Sequence, residues 1–539
     1  MSFGYGVHTM GEIGEEEEMN IDTVASRGAG GTTGPSLVAR GDTHARWQAL
    51  PVLLIGLISG VLYLLTYRAQ RALYHLTFDG VVVRGITADQ TPLLGQSALY
   101  YGATIGLFAL YVWLLALCRR GALRDRRVRT LALLFPLLFN LGLLLGRPYL
   151  AIDLGSYIAG GYLGSTGGSN PYVQPVSSLM GTPFGASLEA FGWRPTHGVQ
   201  PYGPLWVQCE VIVLRLTHDV PTAAFLLKAL VVAASLGSAA LIWAILGRVR
   251  PADQLLGTLL YLWNPVIIVE FAAEGHNDAL MVLCVLAALL LTLGGRPALA
   301  LIALLLGVLT KYVPLILLPA LLAYFWFGCR DRRERVRLGT LILLGLFAGL
   351  GLGVVFYRPL WAGTATFQGL REQGTAEISA SITGGMTWGL MHSPLRGAPK
   401  LLLSAVLDGI FAVSVLLVSW RVRDTVGLLR ACASISLVYV LLVSSYYFPW
   451  YAALPLALLA LCPHDGFRWL ALTLTCGARL VAPLGYLRDQ GLISQPVKFA
   501  LTLAIAIALP LLAFLVLTVG EWQRQRGARM KSAKTNLAV

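Results

Sequence analysis

The longest polar interruption between apolar runs, Arg147 to Leu205, opens with an acid, Asp153, in the stretch RPYLAIDLGSYIAGGYLG. A lone carboxylate there has two uses. It caps the free N–H groups of a following helix, or it acts as a general base on a hydroxyl that attacks an activated sugar. One such base suffices for displacement with inversion, by analogy with inverting glycoside hydrolysis. After it, Leu154, Tyr157, Ile158 and Tyr162 recur at helical spacing, with glycines and Ser156 opposite, which predicts a short interfacial helix offering a floor for a lipid. Asn170-Pro171-Tyr172 and Pro201 to Leu205 bound the turn-rich remainder, so Tyr157, Asn170, Tyr172 and Tyr202 join the candidate substrate contacts.

A second constellation is Tyr261 to Pro265, then Glu270, then Glu274-Gly275-His276-Asn277-Asp278. Ionisable groups in a membrane cost roughly 2.5–3.5 kcal/mol each, so they need a reason to be there. Asp278 alone could cap the next helix and His276 alone could be an interface histidine. Together, Glu274, His276, Asn277 and Asp278 suit hydrogen bonding to sugar hydroxyls. Two metal ligands, His276 and Asp278, are too few to predict a metal. Lys311, beside Thr310, Tyr312 and Pro314, either snorkels to the interface or neutralises a leaving phosphate. Lys228, close to the start of its own apolar run, is expected to reach water. Trp450 and Tyr451 after Pro449 suit an aromatic belt or stacking on sugar faces.

The chain that must position these groups is 56% hydrophobic and 13% charged over 539 residues. That composition predicts an all-α integral membrane protein. The net charge of +14 sits in short clusters between apolar runs, where it orients the chain in a bilayer and gives no ground for nucleic-acid binding. The seven cysteines form no CxxC pair and read as small core residues.

Residues 1–46, with the acidic run Glu15 to Glu18, read as a disordered cytoplasmic tail without a cleavable signal. Three spans occupy 47–146. Six arginines between Arg119 and Arg129 hold the loop before the third span inside, which sends Asp153 outside. The external loop is 147–204, a transmembrane core 205–357, an external loop 358–400, C-terminal spans 401–519 and a basic cytoplasmic tail 520–539. The loop 358–400, with Trp361, Arg371, Trp388 and His392, is expected to cover the site as a flap. If the chain breaks at Thr310-Lys311-Tyr312, the His276 block also lies outside and Arg248 and Arg250 lie inside. This parity gives about fourteen crossings with both termini cytoplasmic.

Five ordered blocks carry a resemblance: Asp153 to Tyr172, Trp193 to Trp206, Trp263 to Met281, Leu309 to Pro319 and Phe448 to Pro455. They resemble the bacterial polyprenol-phosphomannose-dependent α-1,6-mannosyltransferases of lipomannan synthesis, within the GT-C class. The resemblance implies a GT-C-like multi-span helical bundle, a polyprenyl-phosphate-linked mannose donor, a glycolipid or lipoglycan acceptor, and Asp153 as the external-loop base. His276, Asn277 and Asp278 match the family's HND block, and Lys311 its lysine. It also implies the cytoplasmic membrane of a bacterium, with the site on the outer face. With one phosphate to neutralise, no metal or other cofactor is expected. Arabinose or glucose on the same lipid is one alternative, and a lipid-linked sugar flippase is another.

Overall fold

The computed structural model describes residues 37–78, 91–147, 152–193, 198–329, 331–375, 384, 386, 400–444, 447–462, 465–520 and 523. The described residues are helical, with no strand among them. The helices are α1 (Leu37–Phe78), α2 (Thr91–Arg119), α3 (Arg126–Leu145), α4 (Ile152–Ser165), α5 (Pro183–Phe191), α6 (Pro204–Leu216), α7 (Val220–Val249), α8 (Gln254–Leu262), α9 (Pro265–Ile267), α10 (Asp278–Leu293), α11 (Pro297–Thr310), α12 (Leu318–Gly328), α13 (Arg332–Tyr357), α14 (Gln368–Thr375), α15 (Lys400–Trp420), α16 (Thr425–Val438), α17 (Ala453–Ala460), α18 (Asp465–Leu480), α19 (Ala482–Asp489) and α20 (Gln495–Leu503). Apolar runs rich in Leu, Ala and Val propagate them. Aspartates start them: Asp125, Asp219, Asp331 and Asp424 accept backbone N–H groups at the starts of α3, α7, α13 and α16.

Among the described residues, eight helices are long and apolar enough to cross a membrane, and the pair Pro251–Leu262 and Pro265–Ala273, bent by 46°, makes a ninth if taken as one span. Five further apolar helices, of 10–17 residues, are shorter than that, so length and composition give eight or nine spans among the described residues where about fourteen crossings are expected from the sequence. On α13, Leu343, Phe347, Leu350 and Val354 are all more than half exposed, a belt that suits lipid and not water.

The bend between α8 and α9 is held from all sides. Trp263 packs edge-on against Phe139 and donates its indole N–H to the Ala132 carbonyl of α3. Asn264 caps α9 through the Val266 N–H and reaches Thr475 of α18 at 3.1 Å. Beyond α9 the chain widens into a π-helix, Ile268–Ala273, a geometry common at functional sites.

Two expectations are corrected here. The helix after Asp153 exists, but α4 does not offer a free apolar face: Leu154, Tyr157 and Ile158 are fully buried. Its glycine face is packed too, since a methyl group on Gly161 would fall 2.7 Å from the Glu210 carbonyl oxygen of α6. Glycine lets the two backbones touch, so this helix is a packed support and not a lipid floor. Lys228 does not reach water either. It is buried, and its ammonium donates to the carbonyls of Leu143, Leu144 and Gly146 at 2.8, 3.1 and 2.9 Å. These are orphan acceptors at the end of α3, and a buried cation satisfies them.

Candidate active site

Asp153 sits in the first turn of α4 with its side chain a quarter exposed, at the wall of a cavity of about 1040 Å³. Its position follows from the packing just described: Lys228 anchors the end of α3, and α6 holds α4. Across from it, Gly275 adopts φ +76°, a left-handed turn that ends the π-helix and aims His276 back into the cavity. The buried imidazole then lies between two acids, with Nδ1 3.4 Å from Asp153 and Nε2 3.3 Å from Glu270. The Nδ1 contact is an ion-pair distance without an aligned hydrogen bond. Burial opposes charge on the ring, but contact with Asp153 and Glu270 outweighs it, and the pKa of His276 is pushed up to about 9. The two carboxylates thus favour the imidazolium form of the ring between them.

Glu270 is also paired with Arg479 of α18. Arg479 donates to Gln70 of α1 at 3.1 Å, and the Gln70 amide donates to Glu274 at 3.3 Å. This network ties α1, the π-helix and α18 around one end of the cavity. Trp450 lies over His276, ring centroids 3.7 Å apart and planes 18° from parallel, and Phe448 stacks on Trp450 in turn. A π face on a cationic ring is favourable.

The break in the sequence at Lys311 is a break in the structure. α11 ends at Thr310, Lys311 is extended, and a 3₁₀ turn, Val313–Leu317, precedes α12. The break is seated by Gly203, whose N–H donates to the Thr310 carbonyl at 3.1 Å and which passes too close to the Leu309 carbonyl for a side chain. Lys311 then reaches Asp278 at 2.8 and 3.0 Å and lies 4.7 Å from the Tyr451 ring centroid. The charge expected to meet a phosphate is therefore already balanced by a carboxylate.

Of the residues singled out in the sequence, Asp153, Tyr202, Glu274, His276, Asp278, Lys311, Tyr312, Trp450 and Tyr451 line this one cavity. Four others lie off the cavity, within the fold. Tyr157 packs edge-on against Tyr202 and Trp206. Asn170 caps the Tyr172 N–H and donates to the Leu360 carbonyl. Tyr172 is buried and donates to the Tyr202 carbonyl. Asn277 is fully buried with neither amide atom hydrogen-bonded. Trp388 and His392 lie outside the described residues. Gln70, Arg479 and Lys498 line the cavity without having been singled out. Among the described residues no three His, Cys, Asp or Glu side chains are grouped to hold a metal.

Residues 53–327 match the family model described as alpha-(1->6)-mannopyranosyltransferase, N-terminal domain, which is just over half of the chain. The chain belongs to the alpha-(1->6)-mannopyranosyltransferase family. The alpha-(1->6)-mannopyranosyltransferase A of Mycobacterium tuberculosis is 29% identical over 344 residues, covering 59% of this chain and 62% of that protein. A second alpha-(1->6)-mannopyranosyltransferase of that organism is 34% identical over 148 residues, 27% of this chain and 24% of the relative. The chain thus matches less than two thirds of either mannopyranosyltransferase. Asp153, His276, Asp278 and Lys311 fall within the stretch matched to the family, while Trp450, Arg479 and Lys498 fall after it.

Proposed function

We propose that this chain is a membrane mannosyltransferase of GT-C architecture. It moves a mannosyl unit from a polyprenyl phosphate to a hydroxyl of a glycolipid or lipoglycan at the outer face of the cytoplasmic membrane. Family membership supports the mannosyl group. The observation that carries the chemistry is the convergence of Asp153, His276, Glu270, Asp278 and Lys311 on one cavity.

The acceptor hydroxyl attacks the anomeric carbon, the bond from that carbon to the phosphate oxygen breaks, and polyprenyl phosphate leaves with the electron pair. Asp153 takes the hydroxyl proton, and the sugar centre inverts. His276, held between Asp153 and Glu270, fixes the direction of the basic oxygen. The neutral Asp278–Lys311 pair and the rings of Trp450 and Tyr451 offer hydrogen bonds and an apolar face to the sugars. The donor is already anchored in the bilayer, so transfer needs no nucleotide-binding domain.

The protein in vesicles, given polyprenyl phosphates bearing labelled mannose, arabinose or glucose and a lipoglycan acceptor, tests this reading. Label passing from the mannosyl lipid to the acceptor is the expected result. Movement of the lipid-linked sugar across the bilayer without a new glycosidic bond, or transfer of arabinose or glucose in preference, overturns it.

A further inference from the structure

We infer that Lys498 binds the phosphate of the lipid-linked donor, with the start of the hydrocarbon chain against the apolar side chains beside it. This rests on the reading above that the donor is a polyprenyl monophosphate sugar.

Among the described residues the cavity is lined by four basic groups: His276, Lys311, Arg479 and Lys498. Three already face carboxylates: His276 lies between Asp153 and Glu270, Lys311 holds Asp278, and Arg479 holds Glu270. A phosphate meeting any of these three must compete with a carboxylate already in place, and separating a buried pair leaves an uncompensated charge. Lys498 differs. Among the described residues its ammonium makes no hydrogen bond or ion pair, and Arg488 and Asp489, the charges that act on it, are paired with each other.

The surroundings of Lys498 also fit. The π-helix Tyr439–Val443, α19 and α20 give the cavity Val440, Val443, Ala482 and Phe499, and Lys498 is the one charged lining residue from these three elements. The acids belong to the elements around Asp153 and His276. The cavity therefore has an acid-rich wall for hydroxyls and a wall free of acids, in which apolar side chains alternate with the neutral polar groups of Tyr439, Tyr486, Gln495 and Thr502 around a single unpaired ammonium. An amphiphile with one negative charge between a sugar and a hydrocarbon matches that arrangement. One ammonium balances the single charge of a phosphodiester, and leaves a diphosphate half neutralised. During transfer the C1–O bond breaks toward this phosphate, so the same amine steadies the charge that develops on it.

The test uses full-length protein in vesicles. Donor and acceptor KM are measured for the wild type, Lys498→Met and Lys498→Arg, and binding of polyprenyl monophosphate is measured without turnover. Lys498→Met is expected to raise donor KM and weaken polyprenyl monophosphate binding by at least about tenfold. Acceptor KM stays near the wild-type value, and Lys498→Arg recovers most of the loss. Unchanged donor KM and lipid binding in Lys498→Met, with the wild type transferring mannose, overturns the assignment alone. Lys498-dependent lipid binding in a wild type that transfers no sugar overturns the functional reading and leaves the phosphate site standing.

Discussion

The Lys311 ammonium stands 2.8 and 3.0 Å from the two carboxylate oxygens of Asp278, joining the break before α12 to the start of α10. The Asp278 side chain is almost fully buried and that of Lys311 largely so. Removing one partner of such a pair strands the other, at a cost of about 3–5 kcal/mol. Asp278→Ala and Lys311→Met should each lower the thermal midpoint of the detergent-solubilised protein markedly. The double variant should lose less than the two singles together. Additive losses would mean that the two residues act independently.

The contact of His276 with Asp153 and Glu270 makes the protein sensitive to alkali. The folded pKa, about 9, lies above the ordinary value of 6.5. The stabilisation from this group is therefore complete below about 6.5, declines as pH rises toward 9 and is absent above it. Transfer should fall on the same limb, because a neutral ring no longer links the two carboxylates. A pH profile of transfer by the wild type and by His276→Gln checks this: the limb near pH 9 should be present in the first and missing from the second.

Trp450 should tune that limb. A stacked ring favours a cation over its face by about 0.5–2 kcal/mol. Trp450→Leu should move the alkaline midpoint downward by about 0.4–1.5 pH units, with Trp450→Phe in between. A midpoint that does not move in Trp450→Leu would show that the stack, with centroids 3.7 Å apart, carries no charge preference.

Gly275 should tolerate no side chain. Its φ of +76° costs an L-residue about 1–2 kcal/mol. A methyl group there would also lie 3.2 Å from the Lys228 side chain and 3.4 Å from Leu154. Gly275→Ala should lower both the thermal midpoint and transfer, because the turn aims His276. Wild-type values for both would contradict the role given to this turn.

The parts of the site legible in the sequence are those where polar residues interrupt apolar runs: Asp153, the Glu274 to Asp278 block, and Lys311 at a break that Pro314 already announced. Ionisable groups at such places need a compensating environment, and here they supply it for one another. Tyr157, Asn170 and Tyr172 carry the same local signal but do not line the cavity: Asn170 and Tyr172 bond to backbone and the Tyr157 ring packs against Tyr202 and Trp206, which spacing alone does not separate from ligand contact. Arg479 was missed although it lies within the apolar run 469–486, where an ionisable residue is a functional candidate by default. Its partner Glu270 is 209 residues away, beyond any local pattern. Lys498 gave even less signal, because a lysine near the start of a span looks like an interface anchor. In the fold, α4 was legible as a helix but not as a buried one, since its glycines reveal close approach only once α6 is in place.

The most direct test of the central claim is transfer by Asp153→Asn, with polyprenyl monophosphate binding measured on the same preparation. The substitution keeps the shape of the side chain and removes its basicity. The account predicts a fall in transfer of about 10²–10⁴-fold with lipid binding unchanged. Transfer within a few-fold of the wild type would contradict it.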